Sequence, residues 1–215
     1  MSNAIQNPVK RKLKNGQKTI GAFSQIISPV SAEIMSQSGF DWIIVDLEHA
    51  PGDFANLQAQ LQAMNGSGVV PFARASWNDM VAIKRTLDTG VMGVLIPYVN
   101  TREEAVAAVA ACKYPPQGVR GVAGSPRAAG YTRNTMPYLT SANDEVVVMI
   151  AVETMEAVEN LDEILTVEGL DGIFIGPVDL ASSMGYLGDP SQAEVQDTIA
   201  HSESKVLPSA KFLGT

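Results

Sequence analysis

From about residue 19 onward the chain alternates between short apolar runs rich in β-branched residues and longer stretches with helical spacing, and that rhythm leaves few folds open. Strand-like runs occupy Thr19–Gln25, the start of Asp41–Pro51, Val69–Arg74, Gly93–Pro97, Val146–Val152, Ile173–Ile175 and Lys211–Gly214. Helix signals separate them. Ser28-Pro-Val-Ser opens one that Gly39 stops, Asp53 caps a helix to Met64, and Asn78 or Asp79 caps another to Asp88. A Thr101-Arg-Glu-Glu capping box starts the Ala/Val-rich stretch to Cys112, one helix covers Met155 to Leu165, and a last one runs from Asp189 to about His201. Parallel strands joined by helices are covered on both faces, so the pattern predicts an α/β (β/α)8 TIM barrel, one domain over residues 1–215. An eighth strand and its helix are missing. The chain is therefore expected to be C-terminally incomplete or closed by another subunit, because an open barrel exposes backbone along strands one and seven.

With 215 residues, 46% of them hydrophobic, the chain is long enough for one large core. Net charge is -8 and the 15 basic residues are scattered, which argues against nucleic acid or an anionic membrane as a partner. No apolar run approaches the roughly 18 residues of a membrane span and no signal-peptide core is evident, so a soluble cytoplasmic protein is expected. The one cysteine, Cys112, has no internal disulfide partner and reads as a small core filler. Lys10, Arg11, Lys12 and Lys14 read as a leading segment with a solvated helix face.

Chemistry in such a fold belongs to the carboxyl ends of the strands. Asp46, Glu48 and His49 crowd one such end; alternation sends Asp46 and Glu48 to one side and Leu47 outward, and His49 suits a general base. Arg74 ends the next strand, where its planar fork suits a carboxylate or keto oxygen if it is not simply ion-paired. Glu153 follows the fifth strand and Asp179 follows the Gly176-Pro177 break after the sixth. Two acids on adjacent strand ends are the arrangement expected of an open divalent-cation site. The Pro/Gly/Arg-rich stretch from Tyr114 to Tyr138 is long enough to be a functional loop or lid, and Arg120, Arg127 and Arg133 could meet an anion or be solvated. Its glycines do not form Gly-x-Gly-x-x-Gly, and no P-loop occurs, so a nucleotide finds little support.

Several of these motifs, taken in order, resemble the HpcH/HpaI aldolases: Gly39-Phe-Asp-Trp with Asp46-Leu-Glu-His-Ala-Pro, Arg74 with Trp77-Asn-Asp, Tyr114-Pro-Pro-Gln-Gly-Val-Arg-Gly, Val152-Glu-Thr, and Gly172-Ile-Phe-Ile-Gly-Pro-Val-Asp-Leu. The resemblance implies a divalent-metal-dependent (class II) aldolase, of the 4-hydroxy-2-oxoheptanedioate or 2-keto-3-deoxy sugar acid type. Such an enzyme cleaves a hydroxy-2-oxo acid to pyruvate, or a close 2-oxo acid, and an aldehyde through a metal-stabilised enolate. It also implies a homohexamer with exchanged terminal helices. Glu153 and Asp179 would hold the ion, Arg74 would meet the keto oxygen, and His49, oriented by Asp46 or Glu48, would move the proton. Backbone around Gly176, Pro177, Val178 and Asp179 would bind the substrate carboxylate. Oxygen ligands favour Mg²⁺ or Mn²⁺, with Co²⁺ or Zn²⁺ able to substitute. No lysine ends an identified strand near the site, which argues against a Schiff base. Two alternatives stay open: a lyase of malyl-CoA or citramalyl-CoA type, and a catalytically silent barrel. Ala151 stands where many relatives carry a glutamine.

Overall fold

The computed structural model describes residues 4–215, and they form one sheet of seven parallel strands in sequential order with helices around it. The strands are β1 (Gly21–Ser24), β2 (Trp42–Asp46), β3 (Val70–Arg74), β4 (Gly93–Ile96), β5 (Val147–Val152), β6 (Gly172–Ile175) and β7 (Phe212–Gly214). Each lies within its expected run except β6, which begins one residue earlier. The sheet curls into a barrel-like wall, so that Phe23 on β1 meets Phe174 on β6 edge to face at 5.6 Å. Among the described residues there is no eighth strand, and no helix is long and apolar enough to cross a membrane.

Strand alternation divides the core in two. Ile43, Val45 and Leu47, with Val148, Ile150 and Val152, face the helices, whereas Trp42, Ile44, Phe72, Leu95, Val147, Ala151 and Phe174 fill the inside. Trp42 stacks on Phe72 at 6.1 Å. A side chain at position 21 would place its Cβ 2.0 Å from the Trp42 ring, so Gly21 is what admits that ring.

The helices are α1 (Pro8–Lys14), α2 (Pro29–Ser36), α3 (Phe54–Ala63), α4 (Met80–Asp88), α5 (Arg102–Cys112), α6 (Thr135–Glu145), α7 (Met155–Glu159), α8 (Leu161–Leu165), α9 (Pro177–Ser183) and α10 (Ala193–Val206). The expected caps Ser28, Asp53, Asp79 and Thr101 all accept from the first-turn amides. The single helix expected over 155–165 is two, divided at Asn160, whose side chain donates to the Asn100 carbonyl. The helix expected from Asp189 begins at Ala193, because Asp189 instead accepts from Ser191 and Gln192 in a turn, and it continues to Val206.

Two expectations about the amino-terminal face are corrected. The basic α1 is not wholly a solvated face. Asn7 donates to the carbonyls of Met92 and Glu145, and the buried Lys10 donates to the Val146 carbonyl and pairs with Asp171 at 2.9 Å. These groups lie at the starts of β4, β5 and β6, so α1 seals the barrel floor. Removing one member of a buried pair strands the other charge, so Lys10→Met is expected to cost about 3 kcal/mol in urea denaturation. The exposed Lys14→Met should cost less than about 0.5 kcal/mol; equal losses would refute the plug.

Residues 114–134 also lie at this face, since they follow the carboxyl end of a helix and not that of a strand. Arg127 donates to the carbonyls of Thr89 and Leu61, at the ends of α4 and α3. Arg120 is neither solvated nor aimed at the site. It is fully buried between the Tyr114 and Tyr138 rings and bonds Asp88 at 2.8 Å. Arg133 is exposed and donates to the Gly130 carbonyl. The stretch is a structural clasp and does not form a lid.

Candidate active site

Continuing each inward-facing stripe by two residues, to the strand end or one residue beyond it, places a polar side chain over the filled interior on four strands and a glycine on β6. Phe23 leads to Gln25, Ile44 to Asp46, Phe72 to Arg74, Ala151 to Glu153 and Phe174 to Gly176. The side-chain layer that would come next in the core is thus the floor of the site.

Asp46 and Arg74 form its centre. Arg74 grips Asp46 with two hydrogen bonds, Nε to Oδ1 at 2.9 Å and Nη2 to Oδ2 at 2.6 Å, and lies over the Phe23 ring at 5.2 Å. Gln25 and the amides of Glu48 and His49 also donate to Asp46. Burial alone would raise the Asp46 carboxyl, but Arg74, Gln25 and the Glu48 amide outweigh it and hold it at about 2. Asp46 is therefore an ionised anchor for the guanidinium at neutral pH.

Glu48 approaches the remaining Arg74 nitrogen at 3.1 Å. Its Oε2 is nevertheless buried with no hydrogen-bonding partner among the described residues. Burial raises this carboxyl, against the pull of Arg74 and His49 and with the charges of Asp46 and Asp179 adding to the rise. His49 is exposed, and its Nε2 lies 3.8 Å from Glu48, beyond hydrogen-bond reach. Asp46 thus orients the backbone of His49 and leaves its ring free.

Glu153 is 3% exposed and accepts from the Tyr98 amide at 2.7 Å. Burial pushes its carboxyl up to about 7, and the charges of Glu48 and Asp179 contribute while Arg74 opposes. Beside it, a Cβ on Gly176 would lie 2.7 Å from Glu153 Oε2, so the glycine makes room for the carboxylate. Asp179 stands in the first turn of α9, whose N-cap, Gly176, has no side chain to cap the amides that follow Pro177. The structure thus joins Asp46, Glu48 and Arg74 by direct contact, sets His49 at the rim, and brings Glu153 and Asp179 within electrostatic reach. Among the described residues no group of three or more His, Cys, Asp or Glu is arranged to hold a metal. Sequence reasoning missed Gln25, which the inward stripe of β1 would have revealed, and Tyr98, whose contribution is a backbone amide. Cys112 is buried away from the site, and burial pushes its thiol up to about 12.

Comparison with known proteins gives this arrangement a lineage. Residues 19–215 match the family model described as HpcH/HpaI aldolase/citrate lyase. The chain belongs to that family. The 5-keto-4-deoxy-D-glucarate aldolase of Salmonella arizonae is 45% identical over 203 residues, covering 94% of this chain and 78% of that protein. An HpcH/HpaI aldolase/citrate lyase family protein from Burkholderia cenocepacia superposes with a TM-score of 0.92 at 31% identity, covering 97% of this chain and 83% of that one. The HpcH/HpaI aldolase from Desulfitobacterium hafniense gives 0.87 at 29% identity, with 97% and 81% covered. This HpcH/HpaI chain is a carbon–carbon lyase of the aldolase type.

Proposed function

We propose that this chain is a class II aldolase that cleaves a hydroxylated 2-oxo acid of the keto-deoxy sugar acid class, releasing pyruvate or a close 2-oxo acid and an aldehyde. The substrate class follows the relative's name; the chemistry rests on one observation. Three carboxylates, Glu48, Glu153 and Asp179, act on one another beside a single arginine, and the buried Glu48 Oε2, ion-paired with Arg74 at 3.1 Å, makes no hydrogen bond among the described residues. Buried like charges are costly, and a divalent cation is what relieves them. Glu153 and Asp179 would hold it, and the all-oxygen donor set suits Mg²⁺ or Mn²⁺. When bound, the cation draws electron density from the 2-oxo group, the sink that carbon–carbon cleavage needs.

The chain's own groups do the rest. Arg74, locked by Asp46, offers its remaining hydrogens to the keto oxygen without a reorganisation cost. The Val178 and Asp179 amides, at the positive end of α9, receive the substrate carboxylate. The His49 ring takes the hydroxyl proton as the bond breaks, the bonding electrons pass to the 2-oxo fragment, and the same ring returns the proton to that carbon.

Incubating the protein with pyruvate and Mn²⁺ in deuterated buffer tests the reading. Deuterium should enter the methyl group, and EDTA should stop it. Metal-independent exchange, or none alongside inactivity toward keto-deoxy sugar acids, would refute it.

A further inference from the structure

Tyr98 combines two features that the reaction scheme leaves unexplained. It follows Pro97 just beyond β4 with φ of 57°, a left-handed backbone that bulky residues rarely adopt. Conformations of this kind persist where the surroundings hold them, and they concentrate at functional sites. Here the turn aims the Tyr98 amide at Glu153 Oε1, 2.7 Å away, the one hydrogen bond to that carboxylate among the described residues. The other oxygen, Oε2, lies against Gly176 at the start of α9.

The second feature is the ring. Tyr98 is 43% exposed and stacks on Trp77, itself 53% exposed, with centroids 5.6 Å apart and planes 26° from parallel. Trp77 lies in the loop after β3, which ends in Arg74, so the stack ties the arginine's loop to the loop that steers Glu153. Two large rings left in solvent need a reason to stay together, and holding a disfavoured turn is one.

We infer that Tyr98 is a positioning residue: its left-handed turn, clamped by the Trp77 ring, ties down Oε1 of Glu153 and presents Oε2 to the ligand. This rests on the assignment of Glu153 as a cation-binding carboxylate. If the turn swung to negative φ, the amide would leave Glu153 and the carboxylate could rotate, losing its preorganisation before any substrate arrives.

Glycine and alanine at position 98 separate the backbone from the ring. Both keep the N–H, but only glycine adopts positive φ freely. Titrating Mn²⁺ into purified protein by calorimetry, Tyr98→Gly should stay within about threefold of wild type, whereas Tyr98→Ala should bind about tenfold more weakly. Trp77→Ala should weaken binding about fivefold when Tyr98 is present and leave it unchanged in Tyr98→Gly, with Trp77→Phe restoring it. Because Trp77 is exposed, that arm survives even if Tyr98→Ala does not fold, and urea midpoints identify any variant that does not. Equal effects of glycine and alanine, or an equal Trp77→Ala effect in both backgrounds, would overturn the role of the turn while leaving the cation site standing. Absence of Mn²⁺ binding by the wild-type protein would overturn both.

Discussion

Glu153→Gln is expected to lower aldol cleavage about 10³-fold while making the metal-free protein more stable. The two effects have one origin. In the folded chain the Glu153 carboxyl is raised to about 7, so ionising it costs more there than in the unfolded chain, where it titrates near 4.5. The folded state therefore binds more protons between those values, and stability falls as pH rises from about 4.5 to about 7. Above that window the ionised group destabilises the apo fold by roughly 3 kcal/mol, which glutamine removes while still accepting from Tyr98. Urea unfolding at pH 8 in EDTA, set against kcat/KM with Mn²⁺, reads both halves. A variant that lost stability as well as activity would show Glu153 to be a structural residue.

Asp46→Asn is expected to damage fold and chemistry together. Asp46 is fully buried and holds Arg74 through both carboxylate oxygens, so the substitution replaces the bidentate anion with a neutral amide and leaves the partly buried guanidinium only Glu48 as a charged partner. Breaking such a pair costs about 3 to 5 kcal/mol. Arg74→Lys should be milder in stability yet comparably harmful to turnover, because an ammonium cannot make the paired contact and still face the substrate. The acid limb gives an independent check. The Asp46 carboxyl is depressed to about 2 from 3.8, so its roughly 2 kcal/mol of stabilisation is complete above about pH 4 and lost as pH falls through about 2. That loss should be missing from the acid unfolding curve of Asp46→Asn; identical curves would show that the pair contributes nothing.

The wall of the barrel was legible because the signal is local. Apolar β-branched runs, N-caps at Ser28, Asp53, Asp79 and Thr101, and glycine stops encode each βα unit within a few residues. What failed to show depended on distant partners. Lys10 looks solvated in sequence because Asp171 lies 161 positions away. The 114–134 stretch looks like a lid because length and glycine content do not say which end of the barrel it occupies. Its attachment behind a helix does say so, and that clue lay in the chain order. Asp46, Glu48 and Arg74 were findable because strand alternation fixes their direction. The Tyr98 amide was not, since its contribution comes from a dihedral angle and leaves no mark in side-chain chemistry.

The plugged floor has a kinetic corollary. With α1 seated beneath strands whose inner faces are filled by Trp42, Phe72 and Phe174, the floor offers no route to the carboxylates, and traffic uses the carboxyl-terminal side where His49 stands. Both halves of a cleaved molecule then leave on the same side, and whichever half sits deeper departs last. The fragment nearest Arg74 should accordingly inhibit competitively against the intact acid, and the aldehyde non-competitively, a release order imposed by architecture before any difference in affinity is considered.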